Sequence, residues 1–233
     1  MIRTAILIDG GFYRKRAKYL WGEKSAQERA KEVMAYCQAH LSDKDGNEDR
    51  QLYRVFFYDC EPIGRRSVYH PLKKANVDLD KSDTGIWMKS FLEEIKHMRK
   101  FALRLGVLSQ QVNYNLRPDV TKDLCLGRRT LDSLAESDFT FNAQQKGVDM
   151  KIGIDIASLT YKHQVDQIIL ISGDSDFVPA AKLARREGID FILDPMWANI
   201  RDELVEHIDG LKSQWKKRIP KVMTKVMQGQ VTE

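Results

Sequence analysis

Cysteine is scarce in this chain: three residues in 233, Cys37, Cys60 and Cys125, far apart. A disulfide framework therefore has no support. The five histidines form no HxxxH pair and no metal-ligand spacing with the cysteines, so a zinc site has none either. No stretch approaches the roughly 18 consecutive apolar residues of a membrane helix, and the apolar run in "MIRTAILIDGG" breaks off at Asp9, too soon for a secretory leader. The expectation is a soluble cytoplasmic protein without a membrane partner. There is no internal repeat, no low-complexity tract, no GxxxxGK[ST] phosphate loop and no convincing Ser/His/Asp or Cys/His arrangement.

With 42% hydrophobic and 30% charged residues, the chain can bury a full core and fits one globular domain, or one domain with an elaboration. Its net charge of +5 is a mild basic excess that favours an anionic partner without identifying it.

Apolar patterning alternates between strands and helices. "TAILID" (4–9) reads as a buried strand, Phe12 onwards as a helix, "LYRVFFYD" (52–59) as a second strand, and "GIWMKSFLEEIKHMRKFALRLG" (85–106) as a helix with Gly106 past its end. "QVNYNL" (111–116) follows as a strand. Residues 148–163 form a helix with Val148, Ile152, Ile156 and Leu159 on one stripe. "QIILIS" and "DFILD" (190–194) are further strands, separated by a helix from Phe177 to Glu187 that stops at Gly188. Such alternation predicts an α/β fold with a mainly parallel sheet and helices on both faces. "HLSDKDGNEDRQ" (40–51) carries a DxDxN, but Glu48 and Arg54 stand where a calcium loop needs glycine and glutamate, so it reads as a solvated turn. Residues 117–145 are too long for an ordinary connection and read as an ordered insertion or a flap.

Ligands of an open parallel sheet bind beyond the carboxyl ends of its strands. Apolar runs here end in Asp9, Asp59 and Asp194, with Asp174 three residues after Ile171. A lone aspartate at such a turn commonly caps a helix. In "SGDSD" one cap would suffice, and Asp176 suits it, which leaves Asp174 without a local role. Two carboxylates about 4 Å apart repel by roughly 4 kcal/mol at an effective dielectric near 20, so a shared proton or a cation is expected. Asp149, in the first turn of its helix, is a further acid that could project to the same edge, with Lys146 just before it. Asp155 lies on an apolar stripe and needs a partner, which makes it a supporting or structural group.

"ILIDGGF", "KGVDMKIGIDIASL" and "ILISGDSDFVPAAKLARREG" together resemble the NYN family of PIN-like ribonuclease domains, of the bacterial LabA-like type. The resemblance runs from Ile6 to about Leu211, where "ANIRDELVEHIDGL" is similar to a closing helix. It marks 1–211 as the domain, with 117–145 and a basic tail, 212–233, outside the aligned pattern. It implies a three-layer α/β/α, PIN-like (Rossmann-like) fold and an acidic cluster, Asp9, Asp149, Asp174 and Asp176, that holds Mg2+ or Mn2+ and cleaves RNA. It also implies Asp155 as a further acid, Ser172 and Ser175 as small polar groups at the cluster, and Lys146 as a phosphate contact. Asp59, at a "YYD"-like strand end, is a candidate rim residue.

Basic residues that could hold RNA are Arg14, Lys15, Arg16 and Lys18, then Arg65 and Arg66, Arg128 and Arg129, and the tail "KSQWKKRIPKVMTK". Lys182, Arg185 and Arg186 instead suit the dipole at a helix end. Three function classes follow: a metal-dependent ribonuclease, endonucleolytic and acting on a structured RNA such as tRNA; a non-catalytic RNA- or partner-binding regulatory module; and a nucleotidyl- or phosphotransferase using "DSD". The complete acid set speaks for the first, and the missing nucleotide loop against the third. A second copy of the chain or a regulatory protein is an open partner, since Trp21, Trp87 and Phe91 could line either a core or a dimer face.

Overall fold

The structure, a computed structural model, describes residues 1–42, 50–62 and 67–215. The elements run β1 (Ile2–Asp9), α1 (Gly10–Trp21), α2 (Ala26–Leu41), β2 (Arg50–Cys60), β3 (Ser67–His70), β4 (Ala75–Asp78), α3 (Asp83–His97), β5 (Phe101–Leu116) and α4 (Pro118–Cys125). They continue with β6 (Phe139–Lys146), α5 (Val148–Tyr161), β7 (Gln167–Ile171), α6 (Val178–Arg186), β8 (Asp190–Asp194), α7 (Asp202–Val205) and β9 (Gly210–Leu211).

Among the described residues seven strands form one sheet in the order β6-β5-β2-β1-β7-β8-β9, parallel throughout except where β6 pairs antiparallel with β5. β3 and β4 form a separate antiparallel hairpin. The period-2 geometry of strands divides the apolar residues between two cores. Ala5, Leu7, Phe56, Tyr58, Ile168 and Leu170 face the core shared with α5 and α6. Ile6, Ile8, Val55, Phe57, Ile169 and Ile171 face the core shared with α1, α2 and α3. Both faces of the central strands are thus covered, which is why they read as unbroken apolar runs rather than alternating ones. The expected three-layer, mainly parallel architecture is what forms.

Several element expectations change. The helix expected over 85–106 ends at His97; Lys100 takes a positive φ of 65°, and the chain continues from Phe101 as a strand. Residues Phe101–Gly106 pair with Val55–Cys60 of β2, so pairing with a neighbouring strand overrides the local helical spacing. Gly106 is therefore not a helix cap: a Cβ there would lie 2.7 Å from the Lys146 carbonyl oxygen, so glycine lets β5 pass close to the start of α5. The helix expected from Phe12 is two helices. α1 stops at Gly22, which has a φ of 83°, and α2 starts with a capping box between Ser25 and Glu28, a signal legible in "SAQE". The closing helix over "ANIRDELVEHIDGL" is only the single turn α7, after which β9 joins the sheet edge.

Residues 117–145 carry α4, two short 3-10 turns and most of β6. The Arg129 guanidinium donates to both Asp138 oxygens at 3.1 and 2.7 Å, and this pairing with the Ala135 amide holds the Asp138 carboxyl down at about 2. Beyond Gly106, β5 leaves β2 and pairs with β6 alone, forming a two-stranded arm that extends past the carboxyl edge of the sheet.

Candidate active site

Strand order places the site. The chain moves outward from β1 through β2 to β5 on one side, and from β7 through β8 to β9 on the other, so the order reverses between β1 and β7. A crevice opens beyond the strand ends at such a switch point. Asp9 ends β1 there. Its Oδ1 accepts from the Phe12 amide at 3.0 Å, capping α1. At Gly10 a Cβ would lie 2.5 Å from the Tyr58 carbonyl oxygen and 2.7 Å from Asp59 Oδ2, so a glycine is needed for α1 to start this close to β2.

On the other side of the switch point, "SGDSD" forms the turn between β7 and α6. Asp174 caps it: Oδ1 accepts from the Asp176 amide at 3.0 Å and opens a 3-10 turn, Ser175–Phe177, that runs into α6. The expected roles are therefore exchanged, with Asp174 as the cap and Asp176 projecting from the turn without capping. A short Asx-type turn supplies the first amide acceptor, so α6 itself begins with Pro179 in its first turn and no side-chain cap. The buried Ser172 hydroxyl accepts from the Asp174 amide at 3.3 Å. Gly173 lets the turn sit against α1, because a Cβ there would lie 2.8 Å from the Phe12 ring.

The third contributor arrives by way of the arm. β6 returns to the sheet edge at Lys146, Gly147 turns the chain with a φ of 80° and ψ of 2°, and α5 begins with Asp149 exposed in its first turn. The acids then act on one another. Burial first, then Asp149, Asp59 and Asp174, push the Asp9 carboxyl up from 3.8 to about 6, against the Phe12 amide, which lowers it. Asp149 is also raised, by partial burial and then by Asp174 and Asp176. Asp9 thus feels Asp149 and Asp174, and Asp149 feels Asp174 and Asp176, while Lys146, three residues before Asp149, is exposed.

The remaining candidates divide. Asp59 is not a rim residue: it is fully buried, receives Arg14 Nε and Nη2 at 2.8 and 3.0 Å, and accepts from the Cys60 amide at 2.8 Å. Arg14 is accordingly held in a bidentate pair beside the acids. Asp155 finds the partners its stripe position demanded, accepting from the Tyr58 hydroxyl at 2.9 Å and Arg104 Nε at 3.1 Å. Asp194 is buried among Tyr36, His40 and the Met196 amide, at 2.6, 2.8 and 2.7 Å. Ser175 is half-buried between the two acids of its turn. Phe91 is buried, and Trp21 and Trp87 pack against the same core. Arg16 donates to the Met196 carbonyl, and Lys18 pairs with Glu23. Arg65, Arg66, the DxDxN turn and the tail after 215 lie outside the described residues.

One feature of this edge is not apparent from the periodicity of the sequence. The arm sets Tyr114 opposite Phe141, ring centroids 5.3 Å apart, over the crevice. The aromatics of "FTF" were its signal.

Among the described residues no three His, Cys, Asp or Glu side chains stand close enough to share one metal ion. The chemistry of the donor set nonetheless suits a hard divalent cation: four carboxylates at one crevice, with Asp9 raised by burial and then by Asp149, Asp59 and Asp174. Among the described residues no helix is long and apolar enough to cross a membrane. No curated protein matches the chain. A crystal structure of a protein of unknown function from Vibrio parahaemolyticus aligns over 91% of this chain and 92% of its own, at 13% identity and a TM-score of 0.46. The NYN domain matches residues 89–209, a span that contains β5, the arm, α5, β7, "SGDSD" and β8. With just over half its length matched, the chain belongs to the NYN domain family, PIN-like proteins that are generally ribonucleases.

Proposed function

We propose that this protein is a metal-dependent ribonuclease that hydrolyses RNA phosphodiester bonds, endonucleolytically, with Asp9, Asp149, Asp174 and Asp176 holding Mg2+ or Mn2+. The observation that carries the reading is the Asp9 carboxyl, pushed to about 6 by burial and by three neighbouring acids at the switch point. Such convergence is costly in a folded protein and is relieved by a proton or a cation. A divalent cation there supplies acidity to water and offsets the charge that builds on the phosphate.

The chain's own groups prepare the site. The Phe12 amide fixes Asp9, and the Asp176 amide fixes Asp174, which Ser172 supports from below. Asp149, Asp174 and Asp176 are exposed, so their side chains can rotate toward a shared ligand. Lys146, also exposed, stands where a substrate phosphate would approach, and Arg14 adds positive charge while Asp59 holds its orientation. Ser175 has no hydrogen-bonded base among the described residues, which favours water over a protein nucleophile.

The spacing of the carboxylates, no three among the described residues within reach of one ion, favours a second reading, a non-catalytic RNA- or partner-binding module. End-labelled RNA separates the two. The nuclease reading expects cleavage with Mg2+ or Mn2+ that stops in EDTA and in Asp174→Asn; binding without cleavage under every metal condition would establish the module instead.

A further inference from the structure

We propose that the cavity beneath the β5–β6 arm binds the unpaired base of a nucleotide flanking the scissile phosphodiester; this rests on the ribonuclease reading above. The cavity has a volume of about 650 Å3, within the roughly 300–1,000 Å3 typical of small-molecule sites. One wall, with Gly11, Arg14 and Asp59, adjoins Asp9, whose carboxyl feels the Asp59 charge, although the four acids themselves do not line the cavity. The opposite wall is apolar and aromatic, built from Met88, Leu108, Tyr114 and Phe141.

Two features identify the occupant. The first is the aromatic pair. Phe141 is 39% exposed, with its ring centroid 5.3 Å from that of Tyr114, and His70 braces Tyr114 from the side, with ring centroids 4.4 Å apart. An exposed, braced ring beside a phosphate-cleaving edge is a platform on which a base of any sequence can stack. The second is charge. A basic pocket of about 380 Å3 shares Arg14, Lys15 and Thr84 with the cavity, so one groove leads away from the acids over a cationic floor. Within it Lys18 and Lys24 are paired with Glu23 and Glu32, and Asp59 is matched by Arg14, whereas Lys15 is exposed at the junction of the two basins. Lys15 is therefore placed to meet the phosphate that follows the stacked base. Among the described lining residues, Glu61 on the cavity wall and the exposed Asp83 on the basic pocket oppose this arrangement. A paired base keeps its own stacking partners and cannot enter, so the site selects single-stranded or locally opened RNA.

The test uses the full chain. Phe141→Ala, Phe141→Trp and unaltered Phe141 are compared in the cleavage-silent Asp174→Asn background for binding a short single-stranded RNA and its duplex. In the active background, each is compared for cleaving oligonucleotides with one abasic position moved along the strand. Phe141→Ala is expected to weaken single-strand binding about tenfold, with recovery in Phe141→Trp and little effect on the duplex. An abasic position beside the cut is expected to lower kcat/KM by a similar factor in the wild type and to have no further effect in Phe141→Ala. If the wild type cuts RNA while Phe141→Ala binds and cuts as it does, the base cavity is rejected and the ribonuclease reading stands. If the wild type neither binds nor cuts RNA, the ribonuclease reading fails and the cavity proposal falls with it.

Discussion

Arg14 and Asp59 show how a side chain's neighbours decide its role. Asp59 is fully buried and its charge is met by both reachable nitrogens of Arg14. Removing one member of a buried pair strands the other, so Arg14→Ala is expected to cost about 3 kcal/mol, read as a shift of the urea midpoint at an unchanged slope. Asp9 acts in the opposite sense. Its carboxyl has the ordinary value of 3.8 when unfolded and about 6 in the fold, so the native state retains a proton that the unfolded chain has released. Its contribution is therefore fully present below about pH 4 and is lost as pH rises to about 6, by about 3 kcal/mol in the metal-free protein. Asp9→Asn should abolish cleavage yet flatten that pH dependence, as measured by urea unfolding in EDTA at a series of pH values. An unchanged pH profile would show that Asp9 ionises normally.

At the scale of elements, the site depends on how chain segments approach one another. Gly147 turns β6 into α5 with a φ of 80°, a conformation that costs a residue with a Cβ about 1 kcal/mol or more. Gly147→Ala should thus lower stability by about that amount and displace Asp149, reducing activity more than folding; thermal melts and turnover measured side by side would separate the two effects. The second anchoring element is the end of β8. Asp194 joins Tyr36 and His40 of α2 to the Met196 amide, all buried, and Asp194→Ala leaves those partners unsatisfied. A loss of about 3 kcal/mol is expected by urea denaturation, with the acids around Asp9 untouched.

For the whole molecule, two apolar cores hold the sheet between helices on each face, and the switch point is the crevice this topology leaves beyond the strands. The net charge of +5 is modest, so RNA affinity depends on where the cations sit more than on their total. Contacts to about two phosphates along the groove, one through Arg14 and one through Lys15, would give log K against log salt a slope of about −1.4. Lys15→Gln should reduce that slope by about 0.7 in titrations of single-stranded RNA over a range of KCl concentrations. A slope near zero would point to binding without the phosphate backbone.

The order of strands and helices, the two-faced burial of the central strands and the acids at strand ends were legible in the sequence, because each rests on local periodicity or on residues a few positions apart. "KGVD" and "SGDSD" were legible as acid-bearing motifs, whereas the left-handed backbone of Gly147 and the approach of Gly173 to the Phe12 ring are seen only in the structure. Only the tertiary structure decided what depends on a distant partner. Phe101–Gly106 is a strand because β2 offers it a ladder, despite helical spacing in the sequence. Asp59 is an anchor because Arg14 lies 45 positions away and beside it in space. Asp9 is raised to about 6 because packing buries it and brings Asp149 of α5, Asp59 of β2 and Asp174 after β7 near it. Identity and spacing along a chain set what a residue can do. Which neighbour it meets, and hence its charge state, follows from packing that brings together residues far apart in the sequence.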